Sequence, residues 1–446
     1  MLNGIFALRR EIAECFQEDS IFLKNVVKSS VLLIIVVDKI NLEFLFMMRF
    51  HSQQIRELYQ DLIKDNVEQL VSKKNYISQL ILNVTSCCNM NCHYCYTAQG
   101  TYSRHEQKIM SPDDGVSYVG NILSKYDYVE QIKFFGGEPL LNFECIEAIC
   151  SFVNDQYLKG YINNKPDFHI NTNLTLNVES LNLLNKQFGL TITVGIDGPL
   201  SVHNSQRIFA NGKGTFEIVN RNIKWLIDKC HQPRSLEVVF TDEHLRQGMT
   251  PIDIHLYLNE QYGRRNIIIH PKVPVLVFNR TRRNNNYWWG LTNRKMRKLF
   301  YKYGTFLVND TLDNDGEIGL KRLISDTFST KDTDYYCNAA IGYLAILPSG
   351  EIYPCAGFCG NQKFLMGNAN DLELKNNIFL GVKQYFIGVK KKENKLCRTC
   401  DIIDTCVNCM AAMLYENCVF NSPLESICAF NMGITEGIIN GINKIK

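Results

Sequence analysis

The sequence predicts an α/β protein built around a partial (β/α)6, TIM-like barrel, with a small α+β appendage before it and a cysteine-rich domain after it. Three observations predict this architecture. Apolar runs of strand length alternate with helical patterns between Leu80 and His270, most cysteines fall towards the end of the chain, and 446 residues are too many for one ordinary domain. With 46% apolar residues, the chain can bury a substantial core.

Residues 1–76 are predicted to form the appendage, with a short helix, a β-hairpin and a polar helix. The most hydrophobic stretch of the chain, Val31–Phe50, is nearly long enough to span a bilayer, but it contains four charged side chains. Charges at membrane depth are costly, so two strands around a turn at residues 38–41 are expected, and no membrane span.

Residues 77–275 are predicted to form the barrel. The six apolar runs lie at 80–84, 132–135, 168–171, 191–196, 236–240 and 266–270. Between them lie amphipathic stretches, one opened by the cap and first-turn signal of Ser111 and Pro112, another running from Phe143 to Val153. Six β/α repeats imply a parallel sheet that curves into a partial barrel.

The composition changes after the repeats stop near residue 275. Residues 276–334 are predicted to be a helical linker, in which a basic, Asn-rich segment at 279–286 precedes a helical pattern at roughly 293–310. Residues 335–446 are rich in cysteine and glycine and contain only short apolar runs. They are therefore predicted to form the separate cysteine-rich domain.

Charge and cysteine content restrict the class of protein. The 48 basic and 45 acidic residues leave a net charge of +3, which gives no indication of a nucleic-acid partner. Seventeen cysteines are more than packing requires, and the first residues lack the pattern of a signal peptide. We therefore expect a cytoplasmic protein in which cysteines bind metal or clusters rather than form disulfides.

Three cysteines directly follow the first predicted strand: Cys88, Cys92 and Cys95. The carboxyl ends of parallel strands are where α/β folds place their chemistry. Three thiolates on one short loop can bind three irons of a 4Fe-4S cluster and leave the fourth iron open. A structural zinc site and reduced core thiols are the alternatives; zinc lacks an obvious fourth ligand, although Cys87 and His93 lie nearby.

This cysteine trio, followed by the aromatic Tyr96, resembles the signature of radical S-adenosylmethionine (SAM) enzymes. The stretch Gly136-Gly137-Glu138-Pro139 after the second strand strengthens the resemblance, which covers residues 80 to about 275. It implies that the trio holds a cluster that cleaves SAM to a 5′-deoxyadenosyl radical, and that residues 136–139 bind the methionyl amino group. A plain Gly-Gly turn capped by proline is the alternative for that stretch.

The resemblance implies further contacts with SAM. They are made by Tyr94 beside adenine, by Thr172, Asn173 and Asp197 at the ribose or the wall of the site, and by Arg207 at the methionyl carboxylate. For these positions ordinary loop polarity is the alternative.

The second cysteine group resembles the SPASM domain, which adds two auxiliary iron-sulfur clusters to radical SAM enzymes. The pattern consists of Cys337, Gly350 and Cys355, then Cys397-x2-Cys400-x5-Cys406-x2-Cys409, then Cys428. The resemblance implies that Cys337, Cys355 and Cys409 hold the nearer auxiliary 4Fe-4S cluster, and Cys397, Cys400, Cys406 and Cys428 the farther one. The fourth ligand of the nearer cluster is Cys359, Cys418 or an open position.

Two observations complicate the assignment of this second cysteine group to auxiliary iron-sulfur clusters. The last close cysteine pair is separated by two residues where the family usually has three, and zinc is an alternative for the two Cys-x2-Cys pairs. The remaining cysteines, Cys15, Cys145, Cys150 and Cys230, match no pattern and are expected to be packing residues. In total the resemblance implies SAM and three 4Fe-4S clusters as cofactors.

Within this family, SPASM enzymes mostly modify peptides or protein side chains. The expected function is removal of hydrogen from a ribosomally made precursor peptide with a leader, followed by an intrapeptide thioether, C–C or C–O cross-link by net oxidation. An external one-electron donor such as flavodoxin or ferredoxin would be needed. The alternatives are a formylglycine-generating sulfatase maturase, a peptide epimerase, and, from another class, an electron-transfer iron-sulfur protein.

Two features bear on these alternatives. In sulfatase-maturating enzymes an aspartate follows the second cysteine of the Gly-x4-Cys element, whereas this chain has Ala356 there, which counts against formylglycine formation. A mere electron carrier has no use for a methionine-binding stretch such as residues 136–139. The N-terminal hairpin has two open roles: strand addition to a leader peptide, or cover for the barrel's open flank.

Overall fold

The computed structural model describes residues 75–102, 107–263, 266–271, 292–328, 334–371, 376–403, 406–417 and 420–445. The predicted N-terminal appendage, with its hairpin at residues 38–41 and Cys15, lies outside the described residues. So do the Asn-rich segment at 279–286 and Cys418. Among the described residues, no helix combines the length and the apolar character that crossing a bilayer requires.

A parallel sheet of six consecutive strands forms the first part of the described chain. The strands are β1 (Tyr76–Thr85), β2 (Tyr128–Gly136), β3 (Asp167–Thr172), β4 (Thr191–Gly195), β5 (Ser235–Phe240) and β6 (Asn266–Pro271). Each strand pairs in parallel with the next, so their order in space follows their order in the chain. The six predicted strands and the predicted α/β barrel class are confirmed.

Seven helices connect these strands within the described residues. They are α1 (Pro112–Lys125), α2 (Phe143–Leu158), α3 (Val178–Phe188), α4 (Leu200–Gln206), α5 (Phe216–Cys230), α6 (Asp242–Arg246) and α7 (Pro251–Tyr262). The predicted start of α1 is confirmed, because the Ser111 hydroxyl accepts a hydrogen bond from Asp114 N at 3.0 Å and Pro112 occupies the first turn.

The two faces of the sheet differ in burial. Side chains such as Phe134, Ile170 and Val194 point to one face and are 0% exposed, as expected where helices cover a sheet. Their neighbours Lys133 and Asn171 point to the other face and are only half-buried. In a TIM-like barrel the helices form the outer ring, so the half-buried face is the inside of the barrel.

The cysteine-rich part continues the same sheet. Strand β7 (Tyr343–Ile346) pairs in parallel with β1, and the antiparallel strands β8 (Glu351–Tyr353) and β9 (Gly367–Asn368) extend the edge, which gives nine strands among the described residues. Helices α9 (Asn377–Gly388) and α10 (Met410–Asn417) follow. Because β7 pairs with β1, the distal cysteines are tied directly to the strand that precedes the cysteine trio.

Two long helices pack against each other near the end of the chain. The predicted helix at 293–310 is confirmed as α8 (Asn293–Phe328), which extends beyond the prediction and has non-helical backbone at Gly316. It packs along α11 (Glu425–Ile445). A Cβ on Gly437 would lie 2.1 Å from the Tyr301 carbonyl oxygen, so glycine at this position allows the two backbones to approach closely.

Candidate active site

The cysteine trio lies on the loop that leaves the carboxyl end of β1. Cys88 Sγ accepts a hydrogen bond from Met90 N at 3.4 Å, and Cys95 Sγ accepts one from Gln99 N at 3.2 Å. The Cys88 thiol lies close enough to those of Cys92 and Cys95 for electrostatic interaction. The structure thus brings the three predicted cysteines together, and backbone N–H groups point at two of the sulfurs, as is common at iron-sulfur clusters.

Burial controls the ionisation of two of these thiols. Desolvation raises the pKa of the Cys88 thiol to about 12, and that of Cys92 to about 12 despite the opposing charge of Arg207. A bound metal cation reverses this preference and deprotonates the thiols that coordinate it. Within the described ranges, no three His, Cys, Asp or Glu side chains converge on the position of a single metal ion; a cubane cluster distributes its ligands over separate irons.

The Gly-Gly-Glu-Pro stretch packs against the trio loop through its backbone. Gly137 N donates to the Thr85 carbonyl at 3.0 Å, and Glu138 N donates to the Cys87 carbonyl at 2.8 Å. A Cβ on Gly137 would lie 2.0 Å from the Cys87 carbonyl oxygen. Glycine at this position therefore lets two backbone segments meet beside Cys88. A plain Gly-Gly turn, the alternative for this stretch, would not need glycine for contact with another backbone segment.

Gly137→Ala should destabilise the protein by about 3 kcal/mol, because the added methyl group overlaps backbone atoms that cannot move aside. Urea denaturation followed by circular dichroism measures this. The matched control is Gly388→Ala at the end of α9, where a Cβ meets nothing within 4 Å, and this variant should differ little from wild type. Equal stability of the two variants would contradict the packing described here.

Glu138 is fully buried, and its carboxylate accepts three hydrogen bonds. The donors are Leu140 N at 3.1 Å, the Thr172 hydroxyl at 2.7 Å and Asn173 N at 2.7 Å. Desolvation raises the pKa of Glu138 to about 7, although these hydrogen bonds oppose the shift. The sequence predicts that this carboxylate binds the ligand; the structure shows that it also ties the end of β2 to the end of β3. A carboxylate has about four acceptor positions, so about one remains for a ligand.

Asn173 connects the end of β3 to the trio loop. Its side-chain amide donates to Asn89 Oδ1 at 2.9 Å and lies 4.0 Å from Cys88 Sγ. Asn89 in turn donates to the Thr175 hydroxyl at 2.8 Å. Sequence reasoning overlooked Asn89, although its position between Cys88 and Cys92 marked it as part of the site.

Tyr94, Asp197 and Arg207 form one buried cluster beside Cys92. The Tyr94 hydroxyl donates to Asp197 Oδ2 at 2.6 Å, and Arg207 Nε lies 3.1 Å from the same oxygen. The Arg207 guanidinium also stacks on the Tyr94 ring, 5.5 Å from its centroid. Asp197 is 0% exposed, so its carboxylate depends on partners within the protein rather than on water for its hydrogen bonds.

The cluster is supported by two features that sequence reasoning did not use. Gly195 leaves space for the arginine, since a Cβ there would lie 2.5 Å from Arg207 Nη1. His244 Nε2 hydrogen-bonds the Asp197 carbonyl oxygen at 2.7 Å and so fixes the backbone of that residue. The signal that could have indicated His244 is its position in a Thr-x-x-His helix start directly after β5, where Thr241 and His244 form a capping box.

The distal cysteines form two groups. In the first group, the thiols of Cys337, Cys355 and Cys409 lie close enough for electrostatic interaction, and Cys359 interacts in the same way with Cys355. In the second group, the thiols that interact electrostatically are those of Cys397, Cys400, Cys406 and Cys428. The described structure therefore brings together the cysteines of each predicted set; Cys418 lies outside the described residues.

Polar side chains surround the second group. Asn431 donates to Cys406 Sγ at 3.4 Å, and the Tyr336 hydroxyl lies 3.4 Å from Cys397 Sγ. Buried Lys391 donates to the carbonyl oxygens of Ile403 and Cys406 at 2.7 and 3.0 Å. A cation and hydrogen-bond donors beside four thiols stabilise negative charge on them, as a bound cluster requires.

The first distal group contacts the trio loop through polar residues. The Tyr102 hydroxyl donates to Asn83 Oδ1 at 2.8 Å, and Asn83 Nδ2 lies 3.6 Å from Cys359 Sγ. Tyr96 lies within electrostatic range of Cys95, Cys355 and Cys359. A short path of side chains thus joins the two cysteine sites.

Comparison with known proteins agrees with this geometry. Residues 82–240, which contain the trio, the Gly-Gly-Glu-Pro stretch and the Asp197 cluster, match the radical SAM superfamily. The chain contains a radical SAM domain. An uncharacterized protein of Methanocaldococcus jannaschii is 34% identical over 169 residues, which are 38% of this chain and 55% of that protein. The chain thus matches about half the length of that relative.

Two characterised relatives of the radical SAM domain match more of the chain. The radical SAM cyclopropyl synthase TigE of Paramaledivibacter caminithermalis is 23% identical over 395 residues, 82% of this chain and 74% of TigE. A cysteine-type anaerobic sulfatase-maturating enzyme of Clostridium perfringens is 24% identical over 337 residues, 74% of this chain and 87% of the enzyme.

A solved structure shows the same fold. Native anSMEcpe with bound AdoMet and Cp18Cys peptide superposes with a TM-score of 0.65 at 20% identity, over 83% of this chain and 99% of that one. Radical SAM enzymes bind a 4Fe-4S cluster. The donor set of this radical SAM domain fits such a cluster, because three thiols share one loop and backbone N–H donors point at two of the sulfurs.

Proposed function

We propose that this protein is a radical SAM peptide maturase that installs an intrapeptide thioether, C–C or C–O cross-link by net oxidation. The observation that carries the proposal is the arrangement of three cysteine groups around one continuous sheet. The trio follows β1, and the strand β7 pairs with β1. Two further cysteine groups come from the residues on both sides of β7, with Cys337 before this strand and the other distal cysteines after it. A single SAM-cleaving site does not need those additional groups.

Residues of the first site would bind and orient SAM. Cys88, Cys92 and Cys95 would hold a 4Fe-4S cluster, which with bound SAM supplies a 5′-deoxyadenosyl radical that removes hydrogen from the substrate. Gly136, Gly137, Glu138 and Pro139 would bind the methionyl amino group, since Glu138 keeps about one acceptor position.

The buried cluster and the residues at the end of β3 would make the remaining contacts with SAM. Arg207 would bind the methionyl carboxylate, because its ion pair with Asp197 uses Nε and leaves further N–H donors of the guanidinium. Thr172, Asn173 and Asp197 would line the ribose side, and Tyr94 would pack beside adenine. Hydrogen bonds within the protein already fix the side chains of Tyr94, Asp197, Thr172 and Asn173. Arg207 is held by its ion pair with Asp197 and its contact with the Tyr94 ring.

The distal cysteines would hold two auxiliary 4Fe-4S clusters in a SPASM domain. Cys337, Cys355, Cys359 and Cys409 form the group nearer to the trio, and Cys397, Cys400, Cys406 and Cys428 form the other. These clusters would accept the electron left on the substrate after hydrogen removal, which makes the overall reaction a two-electron oxidation. An external flavodoxin or ferredoxin would supply the initiating electron in the cytoplasm, where thiols stay reduced.

The names and titles of similar proteins support a peptide or protein substrate, and in this proposal the substrate is a precursor peptide with a leader. One relative is named a cyclopropyl synthase, another is named a sulfatase-maturating enzyme, and a solved structure of the same fold contains a peptide. Formylglycine formation is the second candidate, but Ala356 offers no carboxylate at the position where sulfatase maturases place their base. A peptide epimerase would leave the mass of its product unchanged, so mass spectrometry separates these activities.

The test is anaerobic reconstitution with iron and sulfide, followed by addition of dithionite and SAM. Formation of 5′-deoxyadenosine is the expected result. With the precursor peptide encoded beside the gene, the product should be lighter by two hydrogens. An intact, cluster-loaded protein that forms no 5′-deoxyadenosine would instead indicate an electron-transfer protein.

Cys397→Ala should retain much of the SAM cleavage but lose the cross-linked peptide, because it removes a ligand of the distal cluster and leaves the trio unchanged. Chromatography of 5′-deoxyadenosine and mass spectrometry of the peptide measure the two effects separately. Cys230→Ala, at the end of α5 and outside every cysteine group, is the matched control and should retain both activities. If Cys397→Ala forms product at the wild-type rate, the auxiliary-cluster assignment is wrong.

A further inference from the structure

A belt of polar side chains lines the inside of the barrel below the candidate active site. Lys133 on β2 is in register with His169 on β3, and Asn171 on β3 is in register with Thr193 on β4. Glu237 on β5 completes the belt. Thr193 is buried, and the other members of the belt are half-buried. Barrel interiors are usually filled with branched apolar side chains, so these half-buried polar side chains indicate space for a polar ligand.

Glu237, the carboxylate of this belt, is already bound within the protein. Its Oε1 lies 2.8 Å from His270 Nε2, and its Oε2 accepts a hydrogen bond from Asn171 Nδ2 at 2.8 Å. Burial opposes its charge, but the hydrogen bond and charge of His270 together with Lys133 and Arg207 lower the pKa of Glu237 to about 2. Glu237 is therefore ionised, and both of its oxygens have partners.

Lys133 is the one cation of this belt that lacks a partner among the described residues. Its amine forms no hydrogen bond or ion pair with them and lies over the Phe135 ring, 5.7 Å from the ring centroid. Desolvation lowers the pKa of Lys133, although Glu237 partly opposes this. A desolvated cation without a contacting anion is costly, and an anionic ligand would remove that cost.

The position of Lys133 suits a substrate contact. It lies three residues before Gly136, roughly 10 Å along β2 from the strand end that faces the trio loop. Glu237 interacts electrostatically with Lys133, Arg207 and Tyr96, so the belt is continuous with the site above it. A peptide that reaches the SAM site through the barrel would place a neighbouring side chain at this depth.

We propose that Lys133 binds a side-chain carboxylate of the peptide substrate inside the barrel. This inference rests on the proposed function, and it names an acidic residue near the modified carbon as part of the substrate class. Asn171 is engaged by Glu237, and His169 lies 2.8 Å from the Thr193 hydroxyl, so the carboxylate pairs with the lysine itself. The C-terminal carboxylate of a peptide has the same chemistry, and the experiment separates the two sources.

The test measures peptide retention without turnover. The reconstituted full chain, saturated with SAM and without reductant, is incubated with a random dodecapeptide pool that is amidated at the C-terminus, and with the same pool carrying free C-termini. Sequencing of the retained peptides gives the frequency of Asp and Glu. Wild type should enrich acidic residues about tenfold in the amidated pool.

Three variants identify the residue responsible. Lys133→Met should lose the enrichment, whereas Lys133→Arg, which keeps the charge, should retain it. Lys224→Met changes an exposed lysine of α5 and should behave as wild type. Thermal unfolding provides a second measurement: Lys133→Met should be at least as stable as wild type, because the lysine has no ion pair to lose.

Three outcomes would overturn the proposal. They are equal acidic enrichment by Lys133→Met and wild type, no enrichment by wild type, and retention only of peptides with free C-termini, which would make the terminal carboxylate the ligand. Failure of the proposed function is distinguishable, because it is detected as absence of 5′-deoxyadenosine from wild type in a separate assay, whereas peptide retention requires no SAM cleavage.

Discussion

Cys88→Ala should reduce the formation of 5′-deoxyadenosine from SAM to background. The two remaining thiols of the trio cannot retain a cubane cluster that needs three protein ligands, so the reconstituted variant should contain about four fewer irons per chain. Chromatography of the nucleoside and iron analysis measure these two effects. The variant loses the hydrogen bond from Met90 N to Cys88 Sγ but keeps the backbone–backbone hydrogen bonds of the loop, so it should remain folded.

The matched control for this experiment is the neighbouring Cys87→Ala. The structure uses Cys87 through its carbonyl oxygen, which accepts from Glu138 N, and alanine preserves that contact. Cys87→Ala should therefore retain SAM cleavage and its full iron content. Wild-type cleavage by Cys88→Ala would remove the trio from the mechanism, and loss of metal from Cys87→Ala would favour the zinc alternative in which Cys87 is a ligand.

The sequence allowed prediction of those features that depend on local pattern. The six strands were predictable because apolar runs of strand length alternate with amphipathic helices, and the start of α1 was predictable because Ser111 and Pro112 are a cap and a first-turn residue. The candidate site residues were predictable because they follow the first four strands, and parallel strands bring such loops to one edge.

The features that sequence reasoning did not predict depend on contacts between distant residues. Pairing of β7 with β1 joins residues more than 250 positions apart, and nothing in the four-residue strand Tyr343–Ile346 indicates its partner. The sequence near Glu138 likewise does not indicate its hydrogen-bond partners, since its three donors include Thr172 and Asn173 on another strand end. Local patterns identify a residue type, whereas its partners are set by the folded sheet.

The distal cysteines show how a resemblance and the geometry complement each other. From spacing alone, a zinc site remained an alternative for the two Cys-x2-Cys pairs. The pair Cys406 and Cys409 also departs from the spacing that is usual in SPASM domains. In the structure these two cysteines lie in different groups, Cys409 with Cys337 and Cys406 with Cys428. A ribbon-type zinc site would instead need both pairs to share one metal position.

Asp197→Ala should destabilise the protein by about 3–5 kcal/mol. The substitution leaves the buried Arg207 guanidinium without its anion and the Tyr94 hydroxyl without its acceptor, and removal of one partner of a buried ion pair is strongly destabilising. Urea denaturation measures the loss. Asp228→Ala is the matched control, because the exposed Asp228 forms a surface ion pair with its neighbour Lys229, and its removal should leave stability essentially unchanged.

The double variant Asp197→Ala/Arg207→Met distinguishes an unpaired charge from a simple cavity. If the cost of Asp197→Ala arises from the unpaired guanidinium, removing that charge as well should recover part of the lost stability, and the two substitutions should be non-additive. Additive losses would mean that Asp197 stabilises the fold through its bond from Val239 N rather than through Arg207. In that case the arginine would not depend on Asp197 for its position, and its proposed contact with the methionyl carboxylate would lose its structural support.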